Sequence, residues 1–419
     1  SDISLKAAYV GGWAYVGGIC SWADVVTVEN LSVGDPDDKR LPVMVTGSSQ
    51  KVGGVIGSGP SGAGQGVYTY IKDIKLYNSY VIGQDYTGGL LGASGNWFVQ
   101  MYDSFVEHAT ISGNNSVAGI CGSSVTSIRI YIEDSKISGV NTVGGIAGST
   151  GPLSSDYGYT VKGCIIEGSG NCIGGIVGNH NDSAIQNAAI INSIVRGTSS
   201  NSQYVGGLAG TATASIYYND VINTKVSGGT AVGGLAGRAQ GNSFYWCSIE
   251  ADVSASRSKA GGAFGELIGF DSTATIGSRQ TTSAYGLIIG GKVSALTMAG
   301  GFAGSYSITP ALYDTSGNLK ASGSSKLQSS QYHNITLMDQ VICESDDSDD
   351  QNTCSVWAYF TPNNSVSSLV GGSPDYVPEG RLTGIVKSDG SNNECGAVWS
   401  GVKVVQGSTG DEIYPLPGK

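Results

Sequence analysis

The segment Val-Gly-Gly-Ile-Ala-Gly at 143–148 recurs along the chain, and this recurrence decides the predicted fold. The other copies are VGGIC at 16–20, VGGVIG at 52–57, TGGLLG at 87–92, VAGICG at 117–122, IGGIVG at 173–178, VGGLAG at 205–210 and 232–237, AGGAFG at 260–265 and AGGFAG at 299–304. Successive copies begin 26 to 39 residues apart. A motif repeated about every 30 residues is typical of proteins built from stacked structural repeats.

A second motif accompanies this glycine cassette, usually nine or ten residues before the glycine pair. It consists of a small residue, any residue and a β-branched residue. Its copies begin at Ser79, Ala109, Ser135, Cys164, Ser193, Thr224 and Cys247. Short segments rich in Val, Ile, Thr and Tyr, separated by Gly, Asn and Ser, predict at least two strands per repeat. Helices are disfavoured because glycine interrupts every apolar run and the 3.6-residue period is missing.

The two motifs together predict an all-β fold, a parallel β-solenoid (β-helix) of about ten coils over residues 10–305. We expect the glycine pairs to stack in a column, because glycine permits tight corners and close approach of neighbouring layers. A phosphate-binding loop is the rival interpretation. It is disfavoured because no cassette is followed by the Lys-Ser/Thr pair that such loops use.

The double pattern resembles the GLUG-motif repeat family, found mostly in bacterial surface and secreted proteins. The cassettes quoted above carry this resemblance, which covers roughly residues 10–305. It implies an all-β solenoid and often an adhesive or cell-surface role, without implying a particular ligand. The end of the chain, with a late Trp and a closing Tyr-Pro-x-Pro, also resembles the final segment of many members.

The composition restricts the classes of partner. The chain has 419 residues, 66 of them glycine, and its net charge is −11. This acidic balance argues against nucleic acid as the main partner and against docking on an anionic membrane. No apolar run approaches the roughly 20 residues of a membrane-spanning helix. We expect a protein that is secreted or displayed at the cell surface, and that has been processed at its start.

The eight cysteines fall into groups when they are placed on the repeats. Cys20 and Cys121 occupy the same cassette position, and Cys164 and Cys247 both begin the second motif. Members of each pair are three repeats apart, roughly 14 Å at about 4.8 Å per coil, which is too far for a disulfide. We predict free, buried thiols at these four positions. A local bridge between Cys164 and Cys172 stays open.

The region 306–419 is expected to be a C-terminal cap or a small β domain, because a solenoid end needs covering. Cys343 and Cys354 flank the acidic loop ESDDSDDQNT, and we predict that they form a disulfide. Carboxylates in this loop are candidate Ca²⁺ ligands, although the spacing of a known calcium loop is missing; a solvated acidic loop is the alternative. The candidates are Asp346, Asp347, Asp349 and Asp350. No other metal or cofactor is predicted.

The sequence offers no recognisable catalytic set. Its three histidines, His108, His180 and His333, lack metal-ligand spacing, and no GxSxG elbow lies between a strand and a helix. Binding residues are therefore sought in the variable segments between repeats, where aromatic side chains are common. The predicted binding residues are Trp97, Tyr157, Tyr159, Asn179, His180, Asp182, Tyr217 and Tyr218. The alternative is that each aromatic ring covers only its own coil.

These observations favour a non-enzymatic extracellular recognition protein, a bacterial surface adhesin or receptor-binding solenoid. Its expected partners are a glycan or protein receptor on a host or other cell, or copies of itself. One alternative is a structural subunit of an extracellular filament or surface layer. Another is a polysaccharide-degrading β-helix enzyme, which is disfavoured because Asp and Glu are scarce on the regular strands.

Overall fold

The computed structural model describes residues 3–40, 42–60, 68–94, 99–123, 126–149, 158–181, 184–270 and 282–309, and only short strands beyond. All of its paired strands are parallel, and these residues contain no helix of the length and hydropathy needed to cross a membrane. The chain is therefore an all-β parallel solenoid, as predicted.

Each full coil contributes strands to five stacked columns, which we number ladders 1 to 5 in chain order. Ladder 1 contains Ile185–Gln186, Ile216–Tyr217, Ser243–Tyr245, Ser283–Tyr285, Gln331–His333 and Val398–Ser400. Ladder 2 contains Ile3–Leu5, Thr27–Val33, Thr69–Tyr77, Val99–Glu107, Thr126–Glu133, Tyr159–Lys162, Ala188–Ile191, Ile288–Gly290, Thr336–Leu337 and Lys403–Val404. In the early coils these ladder 2 strands are long and take the place of ladder 1 as well.

Ladders 3 to 5 complete the coil. Ladder 3 contains Tyr9–Gly12, Val43–Gly47, Ser79–Ile82, Thr110–Ser112, Lys136–Gly139, Ile165–Gly168, Ile194–Gly197, Lys292–Ala295 and Ile342–Ser345. Ladder 4 contains Val16–Gly17, Gln50–Gly53, Asp85–Gly88, Asn115–Ala118, Asn141–Gly144, Asn171–Gly174, Gln203–Gly206, Ala299–Gly300 and Thr353–Cys354. Ladder 5 contains Cys20–Trp22, Ile56–Ser58, Leu91–Ala93, Ala147–Ser149, Val177–His180, Ala209–Ala212, Ala236–Gln240, Phe264–Phe270, Ala303–Thr309 and Phe360–Thr361. The strands Asp220–Gly233 and Ser248–Gly261 run through ladders 2, 3 and 4 without a break.

The cassette forms the junction of ladders 4 and 5, and its glycines stack as predicted. Gly144 pairs with Gly174, Gly174 with Gly206, and Gly206 with Gly233. A Cβ added to Gly207 would lie only 1.9 Å from the carbonyl oxygen of Gly234 in the next coil. Successive coils are thus in direct backbone contact at the second glycine, and no side chain fits between them.

Glycine also brings ladder 4 against ladder 5 of the following coil. A Cβ on Gly206 would lie 2.6 Å from the amide nitrogen of Gly237, and one on Gly237 would lie 2.3 Å from the carbonyl carbon of Tyr204. On the other face of ladder 4, a Cβ added to Gly228 of ladder 3 would lie 2.7 Å from Cγ2 of Val205. The buried end of ladder 4, Val205 and Gly206 in this coil, is therefore packed between ladders 3 and 5, whereas the strand begins with the exposed Gln203.

The second motif ties coils together through buried hydroxyl groups. Ser193 donates a hydrogen bond to the carbonyl of Ile191 at 2.8 Å and accepts one from the amide of Cys164 in the preceding coil at 3.1 Å. Ser135 makes the equivalent pair of bonds with Glu133 and Ala109. A small polar residue is needed here because it satisfies backbone groups of two coils at once.

The assignment of Cys247 to this second motif is wrong. Strand pairing aligns Val226 with Val253, so Ala251 takes the position that Thr224 has in the preceding coil. Cys247 instead immediately precedes Ser248, which pairs with Asp220, and therefore aligns with Asn219 at the start of ladder 2. The error arises because Cys-Ser-Ile satisfies the small–x–β-branched pattern in either ladder.

Three corners of the coil use left-handed backbone at residues other than glycine. In ladder 4, the residue that immediately precedes the cassette has φ between 54° and 65° in nine consecutive coils. These residues are Tyr15, Lys51, Tyr86, Ser116, Thr142, Cys172, Tyr204, Ala231 and Lys259. Such a conformation is uncommon outside glycine, and its regular recurrence shows that the stacking of neighbouring coils imposes it.

The ladders continue beyond residue 305, where the sequence motif was expected to end. Short parallel strands extend all five ladders, and Cys354 pairs with Gly300 in ladder 4. This coil escaped notice in the sequence because a cysteine stands in the glycine column. Most of 306–419, including the cap or small domain expected there, lies outside the described residues.

Replacing Gly207 by Ala is expected to lower the free energy of unfolding by about 3 kcal/mol or more, because the new methyl group would meet fixed backbone. Gly11→Ala serves as control, since its Cβ would meet only the movable ring of Tyr9, at 2.9 Å. Chemical denaturation of both variants measures the difference. Equal stability of the two would contradict the backbone contact.

Replacing Ser193 by Ala is expected to cost about 1–3 kcal/mol of stability, because it leaves a buried amide of the neighbouring coil without its acceptor. The control is Ser227→Ala, at a half-buried position of the equivalent ladder 3 segment. Urea unfolding at neutral pH compares them, and a cost no larger than that of the control would show that the hydroxyl column is not needed.

Candidate functional site

The connections at one corner of the coil, between ladder 5 and the next strand of ladder 1 or 2, vary in length. They range from two residues at 241–242 to 36 residues at 362–397. In the coils that carry the cassette, the connection between ladders 4 and 5 is a two-residue turn that begins with glycine. Because all coils stack in register, residues flanking this insert corner are brought together although they are far apart in sequence.

An aromatic patch lies on ladder 1 beside the insert corner. Three of its tyrosines occupy one column, since Tyr217 pairs with Tyr245 and Tyr245 with Tyr285. Two further rings, of Tyr218 and Trp246, follow at the next corner, where φ is 60° and 52°. The left-handed corner breaks the usual alternation, so two adjacent residues are both left out of the core. The following residue, by contrast, turns inward.

The rings of this patch contact one another across three coils. Tyr217 stacks on Tyr245 at 6.5 Å between centroids and meets Tyr218 edge-on at 6.0 Å. Trp246 meets Tyr285 edge-on at 4.4 Å. Gly286 makes room for the indole, because a Cβ there would lie 2.0 Å from Cε3 of Trp246. The patch is thus a packed, preformed surface, with Tyr218 at its exposed edge, 51% accessible.

Hydroxyl groups accompany the rings. The Ser243 and Ser283 hydroxyls lie 3.1 Å apart, and the phenol of Tyr245 lies 3.4 Å from that of Ser283. The inner positions of the same strands are filled by Phe244 and Ala284, both fully buried. The outer tyrosines are therefore not required to fill the core. Their arrangement offers apolar ring surface with hydrogen-bonding groups at its margin.

Two of the predicted binding residues are corrected by the structure, because both are buried. Tyr159 is inaccessible and pairs with Ala188 on an inward-facing position of ladder 2. His180 is inaccessible in ladder 5, where its Nε2 lies 3.2 Å from the carbonyl of Ser215 and its Nδ1 has no hydrogen-bond partner among the residues that the structure describes. Neither side chain is available to a ligand in this structure.

The remaining predicted binding residues are divided between several places. Tyr217 and Tyr218 belong to the aromatic patch. Asn179 lies half-buried on ladder 5, on the opposite side of the insert corner, where it accepts a hydrogen bond from Thr211 at 2.7 Å. The other three lie outside the described residues: Trp97, Tyr157 and Asp182.

The place of Tyr285 in the patch could not be recognised from the sequence, because the 12-residue connection at 271–282 conceals its register with Tyr245. The only sequence signal is the recurrence of a Tyr two residues after a Ser, as in Ser243–Tyr245 and Ser283–Tyr285. Tyr245 and Trp246 are recognisable as aromatic residues between motifs. Their contact with Tyr217 and Tyr285 depends on the stacking, which the sequence does not show.

The five described cysteines are free, as predicted for Cys20, Cys121, Cys164 and Cys247, and Cys172 is not bridged to Cys164. The predicted burial is correct for Cys121, Cys164 and Cys247 but wrong for Cys20, which is only partly buried. Burial raises the pKa of Cys121 to about 11 and the pKa values of Cys164 and Cys247 to about 12. Such thiols are poorly reactive, because the thiolate is the form that oxidises.

The predicted disulfide and calcium site are not tested by the structure. Cys343 and Cys354 lie in ladders 3 and 4 of one coil, but their side chains are outside the description. So are the acidic residues Asp346, Asp347, Asp349 and Asp350. In the part of the chain that is described, no three His, Cys, Asp or Glu side chains are grouped as metal ligands.

Comparison with known proteins gives no relative: no protein-family model matches the chain, and no curated protein matches it significantly.

The buried His180 is expected to make the fold acid-sensitive. Burial lowers its pKa from 6.5 to about 4. Above pH 6.5 the folded and unfolded states are both neutral at this group. Between pH 6.5 and 4 only the unfolded chain takes up the proton, so about 3 kcal/mol of stability is lost as the pH falls.

Urea unfolding at pH 7 and pH 4.5 tests this for the wild type and His180→Leu. The variant is expected to lose less stability between pH 7 and pH 4.5 than the wild type. It lacks the proton uptake of His180 in the unfolded state, whereas the carboxylates titrate in both proteins. An identical loss in both proteins would show that His180 does not set the acid sensitivity.

Proposed function

We propose that this chain is a non-enzymatic, extracellular recognition protein, a surface adhesin that binds a glycan through the aromatic patch on ladder 1. The observation that carries the proposal is the contact of five aromatic rings across three coils, on an outer face. Tyr218 is 51% exposed and the other four rings are half-buried, so the group presents a contiguous aromatic surface to solvent. Contiguous apolar surface of this kind commonly marks a binding site. The resemblance of the repeats to GLUG proteins is in line with this role.

The chemistry of the patch favours a glycan. Pyranose rings present an apolar face of C–H groups and a rim of hydroxyls, and they bind to aromatic rings that have hydrogen-bonding groups beside them. Tyr217, Tyr245 and Tyr285 supply the rings, and Ser243 and Ser283 supply hydroxyls at 3.1 Å from one another. Because successive tyrosines are one coil apart, about 4.8 Å, a polymer running along the solenoid axis would meet an equivalent ring on three consecutive coils.

The buried thiols support an extracellular location. The pKa values of Cys121, Cys164 and Cys247 are raised well above neutral pH, so little thiolate is available for oxidation. A chain with such thiols persists in an oxidising compartment without scrambling its cysteines. The low content of charged side chains and the acidic balance fit the same location.

A double variant converts one coil of the patch into the sequence of its neighbour. Tyr217→Gln with Tyr218→Asn introduces the residues that stand at these positions in the preceding coil, Gln186 and Asn187. Asn also tolerates the left-handed corner. We expect glycan binding to weaken at least tenfold, as is usual when central aromatic contacts are lost, with an unchanged melting temperature.

The measurement is a glycan-array screen of the full chain, followed by affinity measurements on the best polysaccharide. Tyr80→Ala is the matched control, because Tyr80 is a 42% exposed tyrosine on ladder 3, outside the patch. Equal losses in the two variants, or no loss in either, would refute the patch as the binding site. Release of shortened chains from the bound polysaccharide would refute the non-enzymatic role.

A further inference from the structure

Two clusters on the solenoid surface have the same composition, one Glu shared by one Lys and one Arg. In the first cluster Glu167 lies 2.8 Å from Lys136 and accepts two hydrogen bonds from Arg196, at 2.9 Å from Nε and 2.6 Å from Nη2. The carboxylate and the guanidinium satisfy each other here. This cluster lies on ladder 3 and serves as an internal reference for the second.

In the second cluster, one hydrogen-bond donor of the arginine has no acceptor. Glu266 lies 2.7 Å from Lys259, but Nε of Arg238 is 3.6 Å from the same carboxylate, beyond hydrogen-bond length. That Nε is buried and has no hydrogen-bond partner among the described residues. A buried donor without an acceptor is costly, and its presence in a folded protein is commonly explained by a bound water, ion or ligand.

The position of Arg238 is fixed by the repeat. It stands on ladder 5 between Thr211 and Glu266, which pair with it from the two adjacent coils. Its guanidinium lies over the ring of Tyr204, 5.4 Å from the centroid. This contact orients the planar fork. The side chain remains 35% exposed, so the group is both held in place and accessible from solvent.

The local charge favours an anion. Two cations, Arg238 and Lys259, are balanced by the single carboxylate of Glu266, which leaves one positive charge at this place on a chain of net charge −11. Thr211 and Asn179 precede Arg238 in the same column of ladder 5. The Thr211 hydroxyl lies 2.7 Å from the amide oxygen of Asn179. Hydroxyl and amide groups next to a cationic fork match the hydroxyls and the carboxylate of a sugar acid.

We propose that Arg238 and Lys259 bind the carboxylate of a uronic acid unit in an acidic polysaccharide. The inference rests on the proposed glycan-binding function and specifies the chemical class of the glycan. Arg238 is the main contact because a guanidinium fork recognises a carboxylate through two parallel hydrogen bonds. Lys259 adds charge. The Glu167 cluster is not expected to bind in this way, because Nε and Nη2 of its Arg196 already donate to Glu167.

The experiment compares Arg238→Gln with Arg196→Gln, using the full chain and oligogalacturonate as the probe in titration calorimetry. We expect Arg238→Gln to weaken binding at least tenfold, Lys259→Gln to weaken it less, and Arg196→Gln to leave it unchanged. Binding of the wild type should fall with added salt. The same oligosaccharide with its carboxyl groups reduced to alcohols should lose the preference for Arg238.

Arg238→Lys keeps the charge and removes the fork, and it provides a second test if Arg238→Gln does not fold. We expect it to bind the uronate markedly more weakly than wild type. Wild-type affinity in Arg238→Lys, or equal losses in Arg238→Gln and Arg196→Gln, would overturn the proposal. So would equally tight binding of polyglutamate, which would identify a carboxylate site without preference for sugars.

Failure of this inference is distinguishable from failure of the proposed function. If neutral polysaccharides bind through the aromatic patch while uronates show no dependence on Arg238, only the uronate site is refuted. If neither neutral nor acidic polysaccharides bind the folded wild type, the glycan-binding function is refuted together with it.

Discussion

The solenoid depends on one contact, the approach of backbone to backbone at the glycine cassette. Gly207 touches the carbonyl of Gly234 in the next coil, and Gly237 touches the backbone of Tyr204 in the preceding one. Both contacts exist only if no Cβ is present. They bring the end of ladder 4 against ladder 5 of the neighbouring coil, so that the residue that opens the cassette and the first glycine, as in Val205 and Gly206, are both buried.

Because the interior is committed to stacking, variation is confined to the outside. The connections between ladders 4 and 5 stay short, whereas those at the insert corner range from two to 36 residues. Outer columns accept almost any side chain, as the left-handed positions of ladder 4 show by accepting Tyr15, Lys51 and Ser116 in turn. The fold therefore provides a fixed core and a surface whose side chains differ from coil to coil.

The sequence predicts the parts of this structure that follow from repetition. The stacked glycines and the free Cys121 follow from aligning the cassettes, because equivalent residues of a solenoid share a column. Whether a side chain points into the core or outward is harder to predict, since left-handed corners interrupt the alternation of side chains along a strand. Tyr159 was wrongly expected at the surface because it follows a variable segment, so its alignment with the buried Ile130 and Ala188 does not show in the sequence. For the same reason Tyr285 could not be connected with Tyr245 across a long insert.

The two candidate binding surfaces are neighbours on the same coil. Arg238 lies on the outer face of ladder 5 and Tyr245 on the outer face of ladder 1. The connection between these two strands consists of only two residues, 241–242. In this coil no long insert separates the cationic cluster from the aromatic rings. A polysaccharide with both apolar ring faces and carboxylates would therefore find the two kinds of contact it needs within one coil. On the proposed function, the tyrosine column of three coils would let such a polysaccharide extend beyond the coil that holds Arg238.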